Sequence, residues 1–473
     1  MRFSYILLFI YIALIASCLI ITNPLWGYII TIIILTNLLQ LKTNIVFLFI
    51  YFPIRPFITE FNTGLLFLGD AIIVLSFLQV IFIERDRLKT IFLKSHFMVY
   101  FYLFLAFGAA TAIVSNVPLA SIIFQLRTLG IMSLLVYILC SNYWQPKDLS
   151  RIVNTSMITA LILSLHGIVE KVFSRTYLFP ETWSEWELAS VNAERVYGML
   201  ANPNVLATYL LIVFWLSFLP IQNDSKITRL YPIIRPIILG TTLLTVSRGA
   251  FIAFAVGFAI YLVLTRDLKT LQKLTLSAIL AFTFIYYPAT SNWTSNIHPI
   301  ESDEHIEESP EQSSQYDSFF QRITTMLSDD TIQASTEWGR IYIVIKGLEL
   351  FKNSPVLGHG FGTFGDAATL RYGSPIYEQY EIESRIYSDN QYVNILASTG
   401  ITGIILLIAL IVSLLKKLFP IIGHRERATL IMLTIVLLIL ASFYNILEDQ
   451  VFMVYYFTIL GYLINFNNFK DVS

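Results

Sequence analysis

The segment QYVNILASTGITGIILLIALIVSLLKK, residues 391–417, decides what kind of protein this is. From Gln391 to Leu415 no residue is charged; Lys416 and Lys417 close the run, and Asp389-Asn390 precede it. A helix needs ~20 apolar residues to cross ~30 Å of hydrocarbon, and this stretch has that length, with cations at one end and a carboxylate at the other. The same signal recurs at roughly 4–22, 24–41, 44–59, 64–83, 97–114, 118–140, 152–169, 203–220, 230–247, 249–265, 274–289, 428–445 and 449–466. Together these predict fourteen spans, or twelve if Arg55-Pro56 and the tight pairs around Pro24 and Ser247-Arg248 mark broken or re-entrant segments.

Composition agrees with a chain dissolved in lipid. Of 473 residues, 56% are hydrophobic, 15% aromatic and only 13% charged, which excludes a soluble enzyme. Mean hydropathy is +0.68. A net charge of -1, with the cations spread between apolar runs, removes any argument for a nucleic-acid partner. The two cysteines, Cys18 and Cys140, fall near opposite faces of the bilayer, so no disulfide is expected. Ile15-Ala16-Ser17-Cys18 is similar to a lipoprotein cleavage box, but the apolar run continues through Leu19-Ile20-Ile21 and is read as a retained span.

Orientation follows from Lys and Arg in the short loops. Arg85, Arg87, Lys89 and Lys94; Lys147 and Arg151; Lys226 and Arg229; Arg266, Lys269 and Lys273; and Lys416, Lys417, Arg425 and Arg427 all fall on one side, expected to be cytoplasmic together with both termini. The other side receives two long connections, 170–202 and 290–390. The expected fold is all-α: a polytopic integral membrane protein with an N-terminal bundle (1–289), one large external loop (290–390) and C-terminal helices (391–473). The loop carries about half of the acidic residues. Its part from Glu301 to Gln315 is Ser-rich and nearly free of aliphatics, so it is expected to be mobile. Trp338, Ile341, Ile345 and Leu348 recur at helical spacing and predict an external amphipathic helix lying on the membrane or capping a cavity.

Four features converge on the external side. Arg195 to Asn204 re-enters the membrane at Asn202-Pro203, where a helix start leaves amides for an anion. Ser247-Arg248-Gly249 interrupts two apolar runs, Trp338-Gly339-Arg340 opens the external helix, and Asp389-Asn390 stand nine residues before Gly400-Ile401-Thr402-Gly403. An arginine at such a boundary either anchors the chain in the interface or grips phosphate bidentately. Asp389 reads equally as a helix N-cap. The glycines at 358, 360, 362 and 365 have no preceding strand and no following Gly-Lys-Ser, so they are read as a tight turn bringing backbone close to a substrate. Arg55, Asp70 and Arg127 fall in the outer halves of their spans and are expected to face a polar pocket or one another. His298, His305 and His359 lack metal-ligand spacing, so no metal site is expected.

These residues resemble a family. Arg195 through Asn204 is similar to the Arg-x-x-Gly-x-x-x-Asn-Pro-Asn segment of the O-antigen ligase and polymerase superfamily, and Ser247-Arg248-Gly249 resembles its Ser-Arg-Gly element. Trp338-Gly339-Arg340 with Pro355 to Gly362 resembles its arginine helix and Gly-rich turn. Asp389-Asn390 with Gly400 and Gly403 resembles its His-Asn-x9-Gly-x-x-Gly signature, with Asp389 in the histidine's place. The resemblance implies a fold similar to GT-C glycosyltransferases in the bacterial plasma membrane. It implies transfer of a glycan from a polyprenyl-pyrophosphate carrier to a sugar hydroxyl, polymerising repeat units by a metal-independent, inverting route with no cofactor. Asp389 would activate the hydroxyl, and Arg248 and Arg340 would hold the pyrophosphate. Arg195, Asn204, Asn390, His359 and Arg127 would bind substrate. Implied partners are the lipid-linked oligosaccharide, membrane lipid, and flippase and chain-length regulator proteins. A ligase acting on another acceptor is the near alternative, and a lipid-linked oligosaccharide flippase, which should show pseudo-repeated halves and short loops, the distant one.

Overall fold

A computed structural model describes residues 2–37, 40–141, 144–173, 175, 178–186, 188, 190–219, 226–291, 339–382 and 385–470. The chain is all-α. Its helices are α1 (Tyr5–Ser17), α2 (Pro24–Thr36), α3 (Leu41–Phe61), α4 (Thr63–Ile83), α5 (Met98–Val114), α6 (Leu119–Leu139), α7 (Lys147–Val172) and α8 (Pro203–Leu216). Then follow α9 (Lys226–Leu244), α10 (Arg248–Thr265), α11 (Leu268–Thr290), α12 (Arg340–Asn353), α13 (Ala367–Tyr372), α14 (Gln391–Leu418), α15 (His424–Leu440) and α16 (Gln450–Asn465).

Every predicted span coincides with a helix, but length divides them. Among the described residues eight helices are long and apolar enough to cross a membrane: α3, α4, α6, α7, α9, α10, α11 and α14. A ninth arises if α5 is joined to Arg85–Lys94 across an 85° bend. This is fewer than the twelve to fourteen expected. The instructive case is α8. Its 14 residues rise only about 21 Å, and nearly all of them are buried against other helices. Its apolar run is a protein core and not a lipid-facing surface, which hydropathy alone cannot distinguish.

Contacts between connections define the two ends of the bundle. At one end Asp148 pairs with Lys42 at 2.6 Å and Arg151 at 3.2 Å, Arg425 pairs with Asp267 at 3.5 Å, and the hydroxyl of Tyr231 donates to Asn154 at 2.7 Å. Phe92 packs on Tyr137 with centroids 5.1 Å apart. The basic connections therefore share this end. Cys18 and Cys140 are both buried free thiols.

At the opposite end the segment from α12 to Asp389 folds onto the bundle. Leu350, Phe364, Ile376, Tyr377, Tyr380 and Ile382 form a small core with Val393 and Ala397 of α14. The apolar stripe read from the sequence is not the face of α12 that packs on the protein. Gly347 and Leu350 are buried and Ile343 and Val344 pack on the small core, whereas Ile341, Ile345 and Leu348 are exposed. The helix is apolar on two sides, so spacing alone could not select the packed one. Trp338, Ser313, Glu301 to Gln315, His298 and His305 lie outside the described residues.

The Gly-rich turn brings its backbone close to two helices. Its amides at His359 and Gly360 donate to the carbonyls of Ala397 (2.9 Å) and Ser398 (2.7 Å), and Phe361 donates to Gly108 of α5 (3.1 Å). Gly400 breaks α14 at φ 58°, where a Cβ would meet the carbonyl oxygen of Val356 at 2.6 Å. The glycines thus let one backbone approach others, wedging the turn between α5 and the kink in α14.

Candidate functional site

The segment from Arg195 to Asn204 is held from beneath by residues not singled out in the sequence. The carboxylate of Glu170, 4% exposed, accepts the amides of Tyr197 (2.9 Å) and Gly198 (2.7 Å) and pairs with Arg175 at 3.4 Å. Arg195 spends its fork on the protein: Nε donates to the Thr245 carbonyl (2.9 Å) and Nη2 to Asn204 Oδ1 (2.8 Å). Ser247 Oγ donates to the same Asn204 oxygen at 2.9 Å. Two donors on Oδ1 fix the orientation of that amide. The anion position expected at the start of α8 is filled by the protein, because Asn202 Oδ1 accepts the amides of Asn204 (2.8 Å) and Val205 (3.3 Å).

Arg248 is the first residue of α10, with Ser247 as its cap residue. A Cβ on Gly249 would lie 2.6 Å from Phe443, so this helix start presses against the turn between α15 and α16.

That turn, 441–449, joins the separate motifs. The Gln391 amide donates to Ala441 (2.8 Å), and Leu447 donates to Gln391 Oε1 (3.0 Å). Asn445 Nδ2 donates to the Gly365 carbonyl (2.8 Å) while its Oδ1 accepts from Ser388 (2.6 Å). The Tyr444 hydroxyl meets Thr208 Oγ1 at 2.8 Å, one turn along α8 from Asn204. Glu448 accepts from Gln125 Nε2 of α6 (2.6 Å) and from the Ala367 amide (3.0 Å). Asp449 caps α16 through Oδ1, accepting from Val451 (2.9 Å) and Phe452 (3.1 Å), and its Oδ2 is buried without a hydrogen-bond partner among the described residues.

Burial sets the charge of this centre. It pushes Glu448, Asp449 and Asp366 above the ordinary carboxylate range, Glu448 further through the neighbouring Asp366 charge, and Asp366 despite amides donated by Gly362 (2.6 Å) and Thr369 (2.8 Å). Nothing in the sequence marked Glu448 and Asp449 beyond two adjacent carboxylates in a nine-residue turn between apolar helices.

Asp389 and Asn390 separate cleanly. Asn390 is the N-cap of α14, its Oδ1 accepting from Tyr392 (3.1 Å) and Val393 (3.2 Å). Asp389 is therefore not the cap. It sits at φ 46° in the left-handed region, where burial raises its carboxyl above the usual range and the nearby charge of Arg340 draws it back. Arg340 itself is exposed at the first turn of α12. Tyr387 links the two groups of carboxylates, lying close to Glu448, Asp389 and Asp449.

The remaining predicted residues stand elsewhere. His359 Nε2 is 3.0 Å from the Leu350 carbonyl, closing the end of α12, and its ring meets Tyr380 edge-on. Arg127 pairs with Asp70 at 2.6 Å, 57 residues away in sequence, so these intramembrane charges face each other. Arg55 donates to Gln450.

Fold and site together define a multi-pass α-helical membrane protein with a buried polar centre near one end of its bundle. Residues 237–408 match the family model described as O-antigen ligase, which supports the O-antigen ligase and polymerase superfamily. The match covers Ser247 to Gly249, Arg340, His359 and Asp389-Asn390, and it supports ligase- or polymerase-type function on a lipid-linked glycan. Residues 41–178 match a model described as a 6-pyruvoyl-tetrahydropterin synthase related domain, membrane protein. No curated protein matches the chain significantly.

Proposed function

We propose that this chain is a metal-independent, inverting glycosyltransferase that polymerises polysaccharide repeat units from a polyprenyl-pyrophosphate-linked donor. The observation that carries the reading is the division of labour at the mouth of α14. Asn390 satisfies the helix amides, which leaves the half-buried Asp389 carboxylate available beside Arg340. In the reaction the acceptor oxygen attacks the anomeric carbon from the face opposite the leaving group, and its proton passes to Asp389. The bond from that carbon to the pyrophosphate oxygen breaks with its electron pair. Arg340 and Arg248 bind the charge that develops there, and planar guanidiniums suit a pyrophosphate better than ammonium groups do. Ionised Asp389 is the competent form.

Arg195 and Asn204 serve this site differently. With Arg195 bonded to Thr245 and Asn204, it shapes the re-entrant segment, and the Asn204 amide group is left to donate to a substrate oxygen. The end bearing Asp389 is the extracytoplasmic one and the basic end the cytoplasmic one, with both termini there, in a bacterial plasma membrane. A flippase and a chain-length regulator are the protein partners expected of such a pathway.

A ligase reading is favoured by one specific observation, the description of the matched family as O-antigen ligase. The deciding experiment supplies purified protein in detergent with lipid-linked repeat units alone. Lengthened glycan supports polymerisation. Product only after a different acceptor is added supports ligation, and no transfer under either condition, with folded protein, overturns both.

A further inference from the structure

Two guanidiniums gather around the ring of Phe124 on α6. Arg127 lies 5.6 Å and Arg371 5.3 Å from its centroid, and Tyr372 meets it edge-on at 5.7 Å. A third arginine, Arg385, is tied to the same segment, its guanidinium donating to the main-chain carbonyl of Arg371 at 3.3 Å. Among the described residues one carboxylate pairs with these three arginines: Asp70, whose Oδ2 accepts from Arg127 Nε at 2.6 Å. Among the described residues, Arg371 and Arg385 make no ion pair, and both are exposed. Repulsion opposes holding like charges around one ring, and an anion offering several oxygens to planar forks reverses the sign of that term. The same corner faces the lipid side, since Phe67, Leu119 and Ile123 beside it are 48%, 66% and 56% exposed. Phe67 also carries Arg127 over its ring at 4.7 Å. A ligand placed here meets cations at its head and apolar side chains along its tail.

We propose that Arg127, Arg371 and Arg385 form a second phosphate site, which holds the headgroup of a lipid-linked acceptor while Arg248 and Arg340 hold the donor. The inference rests on the glycosyl-transfer reading above and deepens it. An acceptor repeat unit still attached to its isoprenoid pyrophosphate requires a second anion site near the membrane surface. A finished glycan moved to a carrier without phosphate does not. This corner therefore belongs to polymerisation.

The test uses the full chain in a nonionic detergent with a short, labelled polyprenyl pyrophosphate as probe, measuring binding stoichiometry. The wild type should bind two equivalents. Arg371→Ala with Arg385→Ala, both exposed and outside the Asp70–Arg127 pair, should lose one equivalent or weaken it about tenfold or more. Arg248→Ala with Arg340→Ala should lose the other. If the Arg371 and Arg385 pair still binds two equivalents, or the wild type binds one that vanishes only with Arg248 and Arg340, the second site is refuted while the donor site stands. If neither pair alters binding, the glycosyl-transfer reading fails as well. A parallel titration with phosphatidylglycerol vesicles separates the two phosphate sources. Loss of vesicle binding in the Arg371 and Arg385 variant, with polyprenyl pyrophosphate stoichiometry unchanged, makes the corner a bulk-lipid contact and overturns the proposal.

Discussion

Asp389 and Asn390 are neighbours with opposite expected responses to mutation. Asn390 caps α14 through two amides, so Asn390→Ala should cost about 1 kcal/mol of stability, and Asn390→Asp should restore it. Asp389→Asn should leave thermal stability unchanged or slightly raised, because an amide removes a carboxylate that burial disfavours. Polymer yield should nevertheless collapse, since an amide cannot take a proton. Near-normal polymer from stable Asp389→Asn protein would remove Asp389 from the chemistry. The raised carboxyl also fixes the pH dependence of the wild type. Activity should rise with pH along a limb displaced above the usual carboxylate range, because the deprotonated form is the working one. Arg248→Lys and Arg340→Lys should each reduce turnover on the order of a hundredfold, about 3 kcal/mol, if the planar fork matters and not charge alone. Sequence singled out these four positions by type and order. It could not assign the cap, because Asp and Asn cap about equally well and only the geometry shows which oxygen reaches the amides.

The turn 441–449 ties distant segments together, and the sequence did not reveal it. Its partners are Gly365, Ser388, Gln391, Gln125 and Thr208, none of them close in sequence, so no local pattern could have revealed them. Glu448 provides its test. Burial and the neighbouring Asp366 carboxylate hold its carboxyl above the ordinary range, so above that range the folded state binds more protons than the unfolded state. Its contribution to stability should therefore be fully present below the ordinary carboxylate range, be lost as pH rises through the raised folded value, and then level. Glu448→Gln, which imitates the protonated acid toward Gln125 and Ala367, should flatten this slope in thermal unfolding measured across pH. An unchanged slope would mean that Asp366 or Asp449 dominates the titration. The broken helix α14 offers a second contrast. Gly400→Ala meets both a positive φ and the Val356 oxygen at 2.6 Å, whereas Gly373→Ala meets a positive φ with nothing within 4 Å. The first should cost clearly more than the second, whose penalty is the backbone strain alone, about 1 kcal/mol.

Across the whole molecule, helix positions were legible because lipid and protein interiors both demand apolar runs, and for the same reason the number of crossings was not. The buried α8 and the exposed face of α10 read alike in hydropathy, yet only the second is available to lipid. Charge carries the information that hydropathy lacks. The basic connections share one end, tied by Lys42 to Asp148 and Arg425 to Asp267, and Asp389 stands at the other. Orientation then decides the catalytic reading, because a lipid-linked glycan at the outer leaflet can be reached from one end alone. The measurement places single cysteines in a chain with Cys18→Ala and Cys140→Ala, one at Lys269 in the basic end and one at Ser313, outside the described residues in the long acidic loop. Intact cells treated with a membrane-impermeant thiol reagent should label the Ser313→Cys protein at once, and the Lys269→Cys protein only after lysis. The reverse pattern would put Asp389, Arg248 and Arg340 in the cytoplasm, where nucleotide-activated sugars are the available donors, and the polyprenyl-pyrophosphate mechanism would have to be abandoned along with the second phosphate site that depends on it.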